Sequence, residues 1–487
     1  MLLFLTIALP MLGGAAMGLM RFSSAKSRGI YVETIVLATS ILTWVLLLTR
    51  TDTTYVLCHM NSELALAFRV DGMSCIFAGL VSILWPLASL YGFEYMQHEE
   101  RPNTFFSYYT MSYAVTLAVA FSANLFSLYV FYECLTLITL PLVIHKKDTM
   151  SIRAGRKYLT FSISGAALAF IALVFIIYYG TTTDFVLGGV LDAEKISGME
   201  ELLKFVFLLA FVGFGTKAAV FPMYAWLPAA SVAPTPVTAL LHAVAVVKAG
   251  AFACIRLTYF TFGVDILYGT WGQYTVMALA MITVVFGSAM ALKQRHFKRR
   301  LAYSTVSNLS YILLAVAFMN AIGVVAAFLH LIVHSVVKIM AFFCAGSVLH
   351  YAHREYVSEL EGLGRRMPLT FACFTVAACA LTGIPPFNGF VSKWYIGLAA
   401  VGEGSTASYL GFIAILISAL LTAIYMFQVV VKAWFPTEGT VLPTKESAHE
   451  AGPFMIVPML ILAALCLLMG LFPEVLLDVI GKAVIHP

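Results

Sequence analysis

Apolar residues fill this chain in runs of about twenty, divided by short polar stretches. An α-helix rises about 1.5 Å per residue, so a run of that length crosses the hydrocarbon core of a bilayer. The pattern predicts fourteen helices, at 2–20, 29–49, 73–93, 105–122, 124–144, 157–180, 203–232, 236–261, 272–292, 301–319, 322–349, 369–401, 408–434 and 453–473. The expected fold class is therefore all-α and polytopic. Runs 203–232 and 369–401 are too long for one straight crossing, and each holds prolines near its middle. Proline removes a ladder N–H and clashes with the preceding turn, so both runs are expected to be broken helices. The mixed segment 50–72 is expected to form a small extramembrane hairpin.

The basic residues test this count. Of 29 Lys and Arg, nineteen lie in loops after odd-numbered helices and six, Arg256 among them, on the opposite face. The remaining four, Lys217, Lys248, Lys338 and Lys393, lie inside the runs. The positive-inside rule places loops 145–157 and 293–300 in the cytoplasm and both termini outside the cell membrane. Composition agrees: 61% of the residues are hydrophobic and 11% charged, with a mean hydropathy of +0.93. A net charge of +5 is ordinary for a membrane protein with basic loops, and no nucleic-acid footprint is present. The opening stretch lacks a basic n-region, so it reads as the first span and not as a cleaved signal. The eight cysteines form no C-x-x-C pair and mostly lie within apolar runs, as small buried hydrophobes do. No iron–sulfur cluster or other cofactor is expected in this chain.

The four lysines share the hydrocarbon depth with one clear carboxylate, Glu133 in "SLYVFYECLTLITL". Each such group costs roughly 2.5–3.5 kcal/mol at a helix centre, so five together point to function. A single lysine can snorkel to an interface; five charges near span centres and helix breaks do not fit that account. In "FLHLIVHSVVKIMAFFCAGS", His330, His334 and Lys338 recur every fourth residue. That spacing drifts only about 80° around a helix, so the three side chains form one stripe. Imidazoles ending in an amine, roughly 6 Å apart, make a file of proton donors and acceptors that water can bridge. Interhelical hydrogen bonding is the plainer alternative.

Lys217 stands a turn before a proline in "GTKAAVFPMYAWLP", and Lys393 follows the proline pair of "GIPPFNGFVSK". Unwound backbone at membrane depth is tolerated only where it lines protein or a wet cavity. Broken helices mark ion paths in transporters built from inverted repeats. The two breaks lie five spans apart in opposite orientation, as an inverted five-helix repeat requires. The expected organisation is 1–104 for helices 1–3 and the hairpin, 105–261 for the first repeat, 272–434 for the second, and 453–487 for the last helix.

Several strings carry a family resemblance. "GTKAAVFPMYAWLPAASVAPTPVTALLHAVAVVKAG", "FYECLTL", "KRRLAYSTVSNLSYI", "HLIVHSVVKIMAFFCAGSV" and "GIPPFNGFVSK" resemble the antiporter-like subunits of respiratory complex I. They are equally similar to the corresponding subunit of Mrp-type sodium/proton antiporters and to the large membrane subunits of energy-converting membrane-bound hydrogenases. The resemblance spans about residues 60–435. It implies a fourteen-helix proton channel within a larger complex, with Glu133 as the fifth-helix glutamate and Lys217 as its seventh-helix partner. It further implies Lys248 as the central eighth-helix lysine, with His242 before it. His330, His334 and Lys338 match the eleventh-helix relay, and Lys393 the twelfth-helix exit residue, which is a carboxylate in some relatives. The chain stops soon after its fourteenth span, which disfavours the most distal complex I subunit with its long lateral helix.

The implied partners are other membrane subunits, including a neighbouring antiporter-like or small one, and redox subunits carrying iron–sulfur clusters or NiFe. The cargo is protons, with Na⁺ as an alternative. Burial disfavours a lysine's charge and a nearby carboxylate restores it. If Glu133 swings away toward a neighbouring subunit, Lys217 is expected to pass its proton along Lys248, the histidine stripe and Lys393. The functional expectation is a proton-translocating subunit of a redox-driven pump without a redox centre of its own. A Mrp-type antiporter subunit and a solitary small-molecule carrier are the alternatives.

Overall fold

Polar caps decide where many of the helices begin. The computed structural model describes residues 1–50, 53–61, 64–437, 444 and 448–485; Lys445, one of the nineteen loop cations, lies outside them. Helices α1 (Leu2–Leu19) and α2 (Ala25–Leu48) are followed by strands β1 (Tyr55–His59) and β2 (Ala65–Phe68). The strands pair antiparallel with Tyr55 opposite Phe68, forming the hairpin expected at 50–72. Then come α3 (Gly72–Tyr95), α4 (Pro102–Phe121), α5 (Leu125–Val143) and α6 (Thr149–Tyr179). Asp71 opens α3 with a capping box to Ser74, and Asn124 opens α5 by accepting from the Ser127 N–H at 2.7 Å. Asp148 opens α6, and its bonds from Ser151 hold its carboxyl below the usual range. Such caps satisfy N–H groups that have no partner within the helix.

The first long run is broken as expected, into α7 (Glu200–Gly215) and α8 (Trp226–Ala230). The next run, expected as one helix over 236–261, is in three pieces. It comprises α9 (Thr235–Ala243), α10 (Val246–Ile255) and a π-helical turn at Arg256–Phe262. The break at Val244–Ala245 contains neither Gly nor Pro, so nothing in the apolar text announced it. Helices α11 (Trp271–Lys293), α12 (Phe297–Ala317) and α13 (Ala321–Ala352) follow. The second long run is broken into α14 (Pro368–Thr382) and α15 (Asn388–Glu403), and α16 (Thr406–Trp434) and α17 (Pro453–Leu471) complete the fourteen expected segments. A further amphipathic helix, α18 (Pro473–Ile485), was not anticipated.

Ten helical runs among the described residues are long and apolar enough to cross a membrane. Helices α4 and α12 fall short of that test because of their Tyr, Ser, Thr and Asn content, and both sit in the interior. The window across α9, α10 and the π-turn is wholly buried and α13 nearly so, whereas α1 lies at the periphery. Helix α13 packs against α9, α12, α14, α15 and α17. The intramembrane charges are therefore clustered on the innermost helices.

Candidate functional site

Lys217 lies just past the end of α7, where the chain leaves the helical ladder. Its carbonyl neighbour Thr216 is not left open, because the Trp226 indole N–H donates to the Thr216 oxygen at 2.8 Å. The Lys217 ammonium is fully buried, donates to the Tyr132 carbonyl and stands 3.4 Å from the centre of the Tyr132 ring. Its counter-ion is Glu133, whose Oε1 is 3.6 Å away. Glu133 itself is 24% exposed, so this carboxylate reaches the outer surface of the bundle while its partner does not. Helix α10 comes close on the other side of Lys217. A methyl group at Gly250 would lie 2.8 Å from Lys217 Cβ and 2.6 Å from the Ala218 nitrogen.

Two residues before Gly250, in the first turn of α10, Lys248 Nζ is 2.6 Å from His334 Nδ1. His334 and His330 follow one another on α13 with ring centroids 6.0 Å apart. His330 Nδ1 meets the Ser392 hydroxyl at 3.0 Å, which carries the file from α13 to α15. The adjacent Lys393 reaches back across the second break and donates to the carbonyls of Leu381 at 2.6 Å and Thr382 at 2.9 Å. Tyr311 lies between the two, its ring 5.2 Å from His330 and 5.4 Å from Lys393 Nζ.

Lys338, one turn beyond His334, points the other way. Its ammonium donates to the Leu301 carbonyl at 3.1 Å and to the Ser304 hydroxyl. It is near enough to bear on the charge of both Lys248 and His242. His242 is wholly buried in the last turn of α9, packed on Phe342 with ring centroids 4.8 Å apart. Neither of its ring nitrogens has a hydrogen-bond partner among the described residues, and the Nε2 atoms of His330 and His334 also lack one. The file therefore joins Lys248, His334, His330 and Lys393 on one side and Lys338 and His242 on the other. Glu133 and Lys217 form a pair of their own, next to Lys248 through the contact at Gly250.

Three features escaped sequence reading. Arg256, counted with the outer loops, is buried; both of its bonds to Asp71 are 2.7 Å, and three phenylalanine rings lie within 5.1 Å of its guanidinium. Lys298, counted as a loop cation, is also buried and donates to the Ala233 carbonyl at 2.7 Å. Glu133 is not the only carboxylate drawn inward: Glu94 is buried at the end of α3 against Tyr351 and the Gly452 N–H, and Glu33 accepts from Ser89 at 2.5 Å. For Asp71 and Arg256, 185 residues apart, no local pattern could have shown the pairing. Burying either alone would cost several kcal/mol, so each requires the other.

Residues 122–422 match the family described as NADH:quinone oxidoreductase/Mrp antiporter, TM, and residues 59–106 match the N-terminus of chain 5 of NADH-ubiquinone oxidoreductase (complex I). The first match covers more than half of the chain. The chain belongs to this family. It is thus an antiporter-like membrane subunit, related to those of complex I, Mrp and hydrogenase assemblies. Hydrogenase-4 component B of Escherichia coli is 32% identical over 430 residues, covering 83% of this chain and 62% of that protein. NADH-quinone oxidoreductase subunit N of Desulforudis audaxviator is 33% identical over 409 residues, covering 81% of this chain and 80% of that protein. The chain thus spans under two thirds of the first relative and four fifths of the second. The fold is shared with a chain of the archaeal membrane-bound sulfane sulfur reductase, with a TM-score of 0.84, 23% identity, and 99% and 98% of the two chains covered.

Proposed function

We propose that this chain is the proton-translocating membrane subunit of a multisubunit, redox-driven ion pump of the membrane-bound hydrogenase or complex I type. The observation that carries the reading is the contact of Lys248 with His334, at 2.6 Å and away from solvent. An amine and an imidazole at that distance share one proton, and the remaining members of the file stand within reach of a bridging water. Buried polar atoms in native proteins have partners, so the unpaired nitrogens of His242, His330 and His334 favour a hydrated path.

In this reading Glu133 is the movable part. Its carboxylate neutralises Lys217 when turned inward, and its surface position lets it turn toward a neighbouring subunit. Losing that partner makes Lys217 release its proton toward Lys248. Moving one charge against 100 mV takes about 2.3 kcal/mol, which a change of about two pKa units supplies. Protons then pass through His334 and His330 to Lys393. The electrons stay in other subunits, which bring the redox centres. Segments 105–261 and 272–434 act as two inverted repeats, and 1–104 and 453–487 flank them. The complex sits in the cytoplasmic membrane with the basic loops inside and both termini outside.

The relationship to hydrogenase-4 component B and to a quinone oxidoreductase subunit supports a redox partner. A Mrp-type assembly, moving Na⁺ against protons, is the second reading, because the matched family includes those antiporters. The native complex should be purified and its subunits identified, then reconstituted in vesicles and energised with its own electron donor. Lys248→Met is expected to assemble and to lose more than nine tenths of proton transport. Transport above half of the unmodified rate would refute the relay. A complex of membrane subunits alone, without redox subunits, would select the second reading.

A further inference from the structure

On the face formed by the odd-numbered loops the structure holds a cleft of about 760 Å³. Its walls come from four of those loops, the ones following the helices at α3, α5, α13 and α16. A water molecule occupies about 30 Å³ of liquid, so the cleft has room for roughly two dozen. Four of its lining residues are histidines, His98, His350, His353 and His449. The rings of His98 and His350 stand 5.1 Å apart. Histidine is the side chain that exchanges protons near neutral pH. A wall bearing four of them next to Glu99 and Glu355 is a surface where protons bind and leave.

Below this cleft lies Lys298, in the first turn of α12. Its neighbours Arg354, Glu355 and Leu349 line the cleft and also surround Lys298. The charges of Lys146, Glu99 and Glu355 all act on it. Its ammonium donates one proton to the Ala233 carbonyl, just ahead of α9, and two others are left to give. Helix α9 then leads inward to His242, and Lys298 is near enough to act on the charge of that ring together with Lys338. His242 has two ring nitrogens without a protein partner among the described residues. The buried groups thus continue outward, past the relay, to a wet and titratable surface.

We propose that this cleft is the entrance through which protons reach the relay from the basic face, with Lys298 as the first buried carrier and His242 as the second. The Lys298 ammonium gives a proton to a ring nitrogen of His242, directly or through water. The neutral amine takes a replacement from the cleft, and His242 passes its proton to Lys338 or Lys248. One proton enters for each one delivered, and no bond other than N–H forms or breaks. The bond to Ala233 offers a plainer role for Lys298, as an anchor for the start of α9.

This inference rests on the relay proposed above, so the test carries a control for each. Proton transport is measured in vesicles holding the whole complex, with Lys298→Met, Lys298→His and Lys298→Arg beside Lys248→Met. Lys298→Met is expected to cut transport at least tenfold. Lys298→His should recover a third or more of the rate, and Lys298→Arg, which cannot release its proton, should stay as low as Met. An anchor would rank them the other way, with Arg near the unmodified rate and His poor; that order overturns the proposal. If Lys298→Met prevents assembly, the rank of Arg and His still decides. Loss of transport in Lys248→Met with no loss in Lys298→Met removes the entrance alone. Normal transport in Lys248→Met removes the relay itself. As a second readout, His353→Cys in the cleft wall is labelled with a bulky charged thiol reagent, the labelled parent protein serving as reference. Transport should fall severalfold, and an unchanged rate after complete labelling counts against the cleft.

Discussion

The two broken helices solve one problem in two ways. At the first, between α7 and α8, Lys217 is fully buried and faces a carboxylate side chain, Glu133, at 3.6 Å. At the second, between α14 and α15, Lys393 is partly exposed and is held by the main-chain oxygens of Leu381 and Thr382. Those oxygens belong to the last turn of α14, where a helix presents its negative end and its unpaired carbonyls. A side chain can turn away on a few torsions; a helix terminus cannot. The charge at the first break therefore depends on where Glu133 points, and the charge at the second does not depend on any movable partner. In the proposed mechanism the first break is the place where work is coupled to proton movement. The second is a fixed station on the way out.

Removing the movable partner should have the largest effect. Glu133→Gln keeps the shape of the side chain and removes its charge. Assembly should be normal and coupled proton transport in vesicles should fall by more than tenfold. A rate within twofold of the unmodified complex would erase the distinction between the two breaks.

Each lysine also has a glycine against it, and these two glycines differ in the same sense. At Gly250 the methyl of alanine would meet fixed backbone, 2.6 Å from the Ala218 nitrogen, so α10 and Lys217 must part. At Gly383 the methyl would meet Lys393 Cδ at 3.0 Å, a flexible stem, although a φ of +93° makes any side chain there strained by about 1–2 kcal/mol. Displacements of 1 Å can cost up to about a hundredfold where geometry matters. Gly250→Ala should thus reduce transport by about tenfold and Gly383→Ala by about threefold, with both complexes assembled on a native gel. Equal losses would mean that both breaks need the same rigidity.

Much of this was legible in the chain because the membrane makes the rules simple. Spans of about twenty apolar residues, a mixed hairpin segment and two proline-rich breaks follow from hydropathy and from the missing proline N–H. Charges inside apolar runs are costly enough to reveal themselves, so Glu133, Lys217, Lys248 and Lys338 stood out singly. What stayed hidden depended on tertiary partners. The break at Val244–Ala245 is written in ordinary apolar residues. Arg256 looked like a loop cation until Asp71 was found beside it. Lys298 sits among the charges of "KQRHFKRR", which reads as a solvated run, and only the fold shows it turned inward. Tyr311 gave no signal, because an aromatic in a helix is usually core; its place between His330 and Lys393 is a property of packing.

The smallest change should come from Lys393→Glu, and its value lies in its rank against Lys393→Arg. Two carbonyl oxygens accept from Lys393, so the group at this position must donate. A protonated glutamic acid donates its O–H to one of them and can still release and regain that proton. Arginine donates to both with its fork of N–H groups, and it fits the negative end of α14 as well as lysine does. It cannot give up a proton at any pH the membrane meets. If Lys393 is an exit station, Glu should lower transport by about twofold and Arg by about tenfold. If Lys393 serves only to cap α14, Arg should leave transport unchanged. Glu, ionised against two carbonyls, should then be the damaging substitution. Transport rates of the two variants, measured side by side in vesicles with matched amounts of assembled complex, decide between a station and a cap. A cap would leave the second break with a structural task alone, and the fixed backbone partners of Lys393 would then mark the end of the helix, not the end of the path.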